Sequence, residues 1–80
     1  MTVRAYVLIE TTPEQTGAVR DAVGHGLTNC LALGHSFRAS EVLAHLECTD
    51  RKDLYEAITA EYPGRDGVTR VTPLQIINGA

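Results

Sequence analysis

The sequence predicts an α+β domain with the element order β-α-β-β-α-β, and three observations predict it. Alternating apolar stretches run into Ile9-Glu10-Thr11-Thr12 and again, 37 residues later, into Leu46-Glu47-Cys48-Thr49, and a helix pattern follows each. Between them Gly34-His35-Ser36-Phe37-Arg38-Ala39-Ser40 is small and polar enough for a hairpin loop. The chain has 80 residues, one domain's length, and so short a chain holds little stability in reserve.

Val3, Ala5, Val7 and Ile9 alternate with Arg4, Tyr6, Leu8 and Glu10, the period of a strand whose second face is partly apolar too. Thr12-Pro13-Glu14-Gln15 then places a Thr at a helix N-cap, a Pro at the first helical position and a Gln where it completes a capping box. Ala18, Val19, Ala22 and Val23 form the apolar stripe of that helix, and Gly24 with Gly26 supplies its stop. Leu27 to Leu33 reads as the second strand and Glu41 to Cys48 as the third. Thr49 or Asp50 caps the next helix, whose buried stripe is Leu54, Tyr55, Ile58 and Tyr62. Pro63-Gly64 ends it, and Val68 to Ile77 is the last strand, with Pro73 marking a sheet edge or a bulge.

Right-handed crossovers leave few ways to connect this order, and the ferredoxin-like one is an antiparallel sheet ordered 4-1-3-2 with both helices on one face. The other face then carries Tyr6, Leu8, Leu43 and His45. That apolar patch is too large for a monomer to leave wet, so the chain is expected to dimerise through its sheet.

Seven basic and ten acidic side chains give a net charge of -3 with no basic run, which argues against direct nucleic-acid binding. Arg4 and Glu10 interrupt the first apolar stretch, and no stretch approaches about 18 apolar residues. The expectation is a cytoplasmic protein with no membrane partner. With the hairpin turning near Phe37, Cys30 and Cys48 sit about three rungs, roughly 10 Å, out of register, and both read as thiols.

The element order, Gly34, and the closing Pro63-Gly64-Arg65-Asp66-Gly67-Val68-Thr69-Arg70-Val71-Thr72 resemble the effector-binding (RAM) domain of the Lrp/AsnC regulators. The resemblance covers nearly the whole chain and is similar to the stand-alone form, since the first strand follows Met1 without a helix-turn-helix. It implies a homo-oligomer, a dimer assembling into higher rings. It also implies a small amino-acid-like effector held near the loop linking strands two and three, and a role in modulating transcription regulators of that type. The ligand site on this reading is Gly34, His35, Ser36, Phe37 and Arg38. Only Gly34 keeps the family's Gly-x-Tyr-Asp pattern, and Arg38 offers an anionic ligand a partner instead.

Three histidines and two cysteines lack zinc-ligand spacing, so no metal and no cofactor is expected. Glu10 and Glu47, each just before a helix cap, suit a role at the helix start. The chain reads as a non-enzymatic sensing and assembly module. The alternative is a small dimeric α+β barrel enzyme, monooxygenase- or isomerase-like, with His45 and Tyr6 as an acid/base pair in the barrel cavity. An ACT-like regulatory domain shares the element order.

Overall fold

A computed structural model describes residues 2–25 and 30–78. Strand β1 (Val3–Thr11) leads through a single 3-10 turn (Pro13–Gln15) into helix α1 (Thr16–Val23). Strands β2 (Cys30–Ser36) and β3 (Glu41–Cys48) form a hairpin. Helix α2 (Arg51–Glu56) widens into a π turn (Ala57–Glu61) before β4 (Val68–Asn78). The strands lie in the order β2-β3-β1-β4 with every neighbouring pair antiparallel, which is the expected order read from the other edge.

Strand alternation builds the core. Val3, Ala5, Val7 and Ile9 of β1 and Val42, Ala44, Leu46 and Cys48 of β3 are all buried, and their neighbours are not. Val19 and Val23 of α1, then Leu54, Ala57 and Tyr62, complete the same cluster, so both helical segments cover one sheet face. Each fully buried Val, Leu or Ile contributes about 1.5–3 kcal/mol. Asp50 caps α2, its carboxylate accepting a 2.9 Å bond from the Asp53 amide. Pro73 lies on β4, an edge strand, beside a register shift at Tyr6/Val7, so the edge and the bulge occur together.

Several expectations are corrected. Tyr55 was expected in the buried stripe and is 72% exposed, with Ala57 buried in its stead. The π turn is the reason: Tyr62 N donates to Ala57 O across five residues, which rotates the stripe to Leu54, Ala57 and Tyr62. Ala18 is exposed, and only Val19 and Val23 of the α1 stripe are buried. Thr12 makes no side-chain cap bond; Thr16 Oγ1 instead meets Thr11 Oγ1 at 2.7 Å and Thr12 O at 3.3 Å, with the 3-10 turn in front of the helix. Glu10 and Glu47 do not serve the helix starts but form ion pairs on the sheet face, described below.

The hairpin and the cysteines are corrected together. Gly34, His35 and Ser36 belong to β2, and the pairing runs from Ser36↔Val42 to Cys30↔Cys48, centring the reversal on Ala39 rather than Phe37. Ser40 takes the left-handed conformation (φ 64°) and Glu41 N closes the turn on Arg38 O at 3.0 Å. The two-residue shift brings the cysteines face to face, and they form a disulfide with Cα atoms 4.1 Å apart. Phe37 N donates to Glu41 O, so alternation puts the Cys30–Cys48 pair at a non-hydrogen-bonded rung, where backbones approach closest. Disulfides persist in oxidising surroundings, and where thiols are kept reduced the two cysteines still face each other at this rung. The expected strand residues Leu27 to Asn29, and Gly26, lie outside the described residues. Among the described residues no helix is long and apolar enough to cross a membrane.

Candidate functional site

Register fixes what the uncovered sheet face presents, because directly paired residues point to the same side. Four rows run across β2, β3, β1 and β4. The first is Leu31, Glu47, Arg4 and Ile77; the second is Leu33, His45, Tyr6 and Gln75. The third is His35, Leu43, Leu8 and Thr72, and the fourth ends in Glu41, Glu10 and Arg70 with Phe37 beside Glu41.

Tyr6 and His45 occupy the centre, their rings stacked with centroids 4.8 Å apart and planes 14° from parallel. Stacking sets the rings face to face, whereas a proton-relay hydrogen bond would run in the imidazole plane. Arg4 Nε pairs with Glu47 Oε2 at 3.2 Å at one end, and Arg70 Nε approaches Glu10 Oε2 at 3.9 Å at the other. The four expected face residues, Tyr6, Leu8, Leu43 and His45, are thus brought together as two adjacent rungs of β1 and β3. Three more exposed contributors were missed: Leu31 is 74% exposed, Leu33 61% and Ile77 42%, against 37% for Tyr6. The signal for the two leucines was present in the sequence, since Leu31 and Leu33 alternate with Cys30 and Ala32.

The expected ligand residues do not converge on one spot. Gly34 pairs with buried Ala44 on the helix side, and a Cβ there would stand 2.8 Å from Arg20 O and 3.2 Å from the Val23 side chain. Its glycine is accounted for by the close approach of α1. Ser36, also on the helix side, accepts a 3.0 Å bond from Arg20 Nη1. His35 sits on the open face. Phe37 and Arg38 are exposed at the hairpin tip, the guanidinium 5.3 Å from the ring centre and its Nε 3.9 Å from Glu41 Oε1. Glu41 Oε1 is itself buried and accepts no hydrogen bond. At the far end of β2, a recess of about 670 Å³ wraps the outer edge between Val23 and His25 on one side and Leu31, Leu33 and His45 on the other.

Among the described residues no cluster of three or more His, Cys, Asp or Glu side chains could hold a metal ion. No family model matches the chain, and no curated protein or solved structure matches it. Nothing in these comparisons identifies an Lrp/AsnC effector domain.

Proposed function

We propose that the chain is a ferredoxin-like, non-enzymatic module that self-associates through its open sheet face and senses a small molecule, an amino acid or a related metabolite. The observation that carries this reading is the face itself. Leu33, Leu8 and Leu43 surround the central Tyr6–His45 ring stack, and Leu31 and Ile77 stand at the two ends of the row that carries the Arg4–Glu47 pair, opposite a face already filled by helices. With strands about 4.8 Å apart and same-face rows about 6.8 Å apart, the face covers about 500 Å². Two copies together then bury roughly 1,000 Å², the lower bound for a specific interface.

The ligand part of the reading is supported by the exposed Phe37–Arg38 pair at the hairpin tip, a planar apolar and cationic surface suited to a small carboxylate. Such a module would act by co-assembling with regulators of the Lrp/AsnC type, as the resemblance implies. The barrel-enzyme reading draws less from the geometry, because His45 is engaged ring on ring with Tyr6.

Native mass measured across protein concentration, together with a thermal-shift panel of amino acids and anionic metabolites, tests the reading. The expected result is a dimer or larger assembly and an upward shift with one ligand class, about 2.7 kcal/mol at 100 times the dissociation constant. A protein that is monomeric at every concentration overturns it. A turnover activity abolished by His45→Ala would replace it with the enzyme.

A further inference from the structure

Ala18 and Ala22 belong to the apolar stripe expected of α1, yet Ala18 is exposed and Ala22 half-buried, while Val19 between them joins the core. With Gln15 they recur at the i, i+3, i+4 and i+7 spacing of a single helix face. Between that face and the Gly64–Asp66 turn lies a recess of about 410 Å³. Two alanines and a glycine are too small to fill it, and its volume is within the range of small-molecule sites, roughly 300–1,000 Å³.

The far wall is held by its backbone. Arg65 N donates to Tyr62 O at 3.1 Å, and Val68 N donates to Arg65 O at 3.2 Å. Thr12 N donates to Gly67 O at 2.9 Å, which ties the turn to the segment leading into α1. The root of the Arg65 side chain is thus fixed before any ligand arrives.

The charged groups on that wall are unmatched. Arg65 Nε is buried and donates to nothing within the chain. Among the described residues neither Arg65 nor Asp66 takes part in an ion pair. A buried donor left unmet is costly. The guanidinium edge formed by Nε and one Nη matches a carboxylate with two parallel bonds. Asp66, next in the chain, lines the same recess and offers the opposite charge. Arg38 at the hairpin tip, by contrast, already lies over the Phe37 ring and 3.9 Å from Glu41 Oε1.

We propose that this recess binds a small zwitterion of the α-amino-acid class, with its carboxylate on the Arg65 guanidinium, its ammonium group at Asp66 and a small apolar side chain over Ala18 and Ala22. This rests on the reading that the chain senses a small metabolite, and names a place for it apart from the hairpin tip.

L-Alanine, L-valine and L-leucine, each beside its N-acetyl and amide forms, separate the two charges, since the acetyl form lacks the ammonium group and the amide lacks the carboxylate. In calorimetric titrations of the wild-type chain a free amino acid is expected to bind, and its two derivatives to bind several-fold more weakly. Arg65→Met keeps the length of the stem and removes the unmet donor, so it is expected to melt no lower than wild type and to bind the amino acid roughly tenfold more weakly or worse. Asp66→Asn is expected to erase the preference for the free amino acid over its N-acetyl form. Ala18→Leu fills the recess from an exposed helix position; it is expected to abolish binding at unchanged Tm, and it carries the test should Arg65→Met fail to fold.

Derivatives that bind as tightly as the free amino acid overturn the zwitterion site. Binding that survives Arg65→Met and Ala18→Leu but is lost in Arg38→Ala overturns the recess and keeps the sensing reading at the hairpin tip. Binding of none of these compounds overturns the recess as well, and leaves the sensing reading to the panel of anionic metabolites.

Discussion

Cys30 and Cys48 stand directly opposite on β2 and β3, bridged by a disulfide across Cα atoms 4.1 Å apart, and this bond fastens the edge strand to the sheet. Among the described residues β2 has β3 alone as a sheet neighbour, so that ladder, the bridge and the packing of Cys30 and Ala32 on the core hold Leu31 and Leu33 in the open face. Closing a loop of 18 residues is worth about 3 kcal/mol in the chain-entropy account. Reduction, or the double change Cys30→Ser and Cys48→Ser, is therefore expected to lower Tm by roughly 10–20 °C. Melts with and without a reductant, alongside thiol counting, check this. Equal Tm values with the thiols shown to be free would refute it.

Gly34 is the residue on which a ligand role and a packing role make opposite predictions. A methyl group there meets Arg20 O at 2.8 Å and Val23 Cβ at 3.2 Å, closer than packed atoms sit, so α1 must move outward. Gly34→Ala is expected to cost about 1–3 kcal/mol, read as a lower Tm without any ligand present. A Gly34→Ala protein of unchanged Tm that had lost ligand binding would return the residue to the ligand site.

How much of this was legible in the sequence depended on whether the signal was periodic or a matter of register. The strands, their order and the two-faced character of β1 and β3 followed from alternation, which a pleated backbone enforces rung by rung. Pro73 announced its edge because it lacks an amide donor. The disulfide was illegible for a definite reason. Residues Gly34 to Ser40 are all compatible with a turn except Phe37, so composition could not locate the reversal, and a two-residue error in its centre shifts the register by four residues and takes the cysteines from bonded to out of reach. Tyr55 was misplaced by the π turn, a one-residue irregularity that no helical period contains. The face residues Tyr6, Leu8, Leu43 and His45 were readable from one strand each, whereas the rows that relate Arg4 to Glu47 and Leu31 to Ile77 exist only once the register is known.

Tyr62 fills the centre of the core yet its hydroxyl oxygen is buried without a hydrogen-bond partner. A buried hydroxyl left unmet costs about 1–3 kcal/mol, and removing it while keeping the ring restores most of that. Tyr62→Phe is accordingly expected to melt at the same temperature as wild type or several degrees higher. Tyr62→Ala, which empties the ring's volume as well, is expected to cost about 3–5 kcal/mol. A Phe variant destabilised by as much as the Ala variant would show that the hydroxyl is satisfied in solution.

The same burial sets an alkaline limit to stability. Desolvation raises the Tyr62 pKa above its ordinary value, with Arg65 pulling it down and Glu61 adding to the rise. The folded protein therefore holds this proton more tightly than the unfolded chain, whose phenol ionises near its usual value of about 10. By linkage the contribution of Tyr62 is fully present below about pH 10 and drains away as the pH climbs from there toward the raised folded-state value. Wild type should keep its advantage or deficit relative to Tyr62→Phe constant from neutral pH to about pH 9.5 and lose ground to it above about pH 10. Comparing the two proteins removes the arginines and the exposed Tyr55 from the result, since both chains carry them alike. Melting curves collected pairwise across that range measure the difference, and curves that stay parallel to pH 11 would mean that the phenol reaches solvent in the folded state.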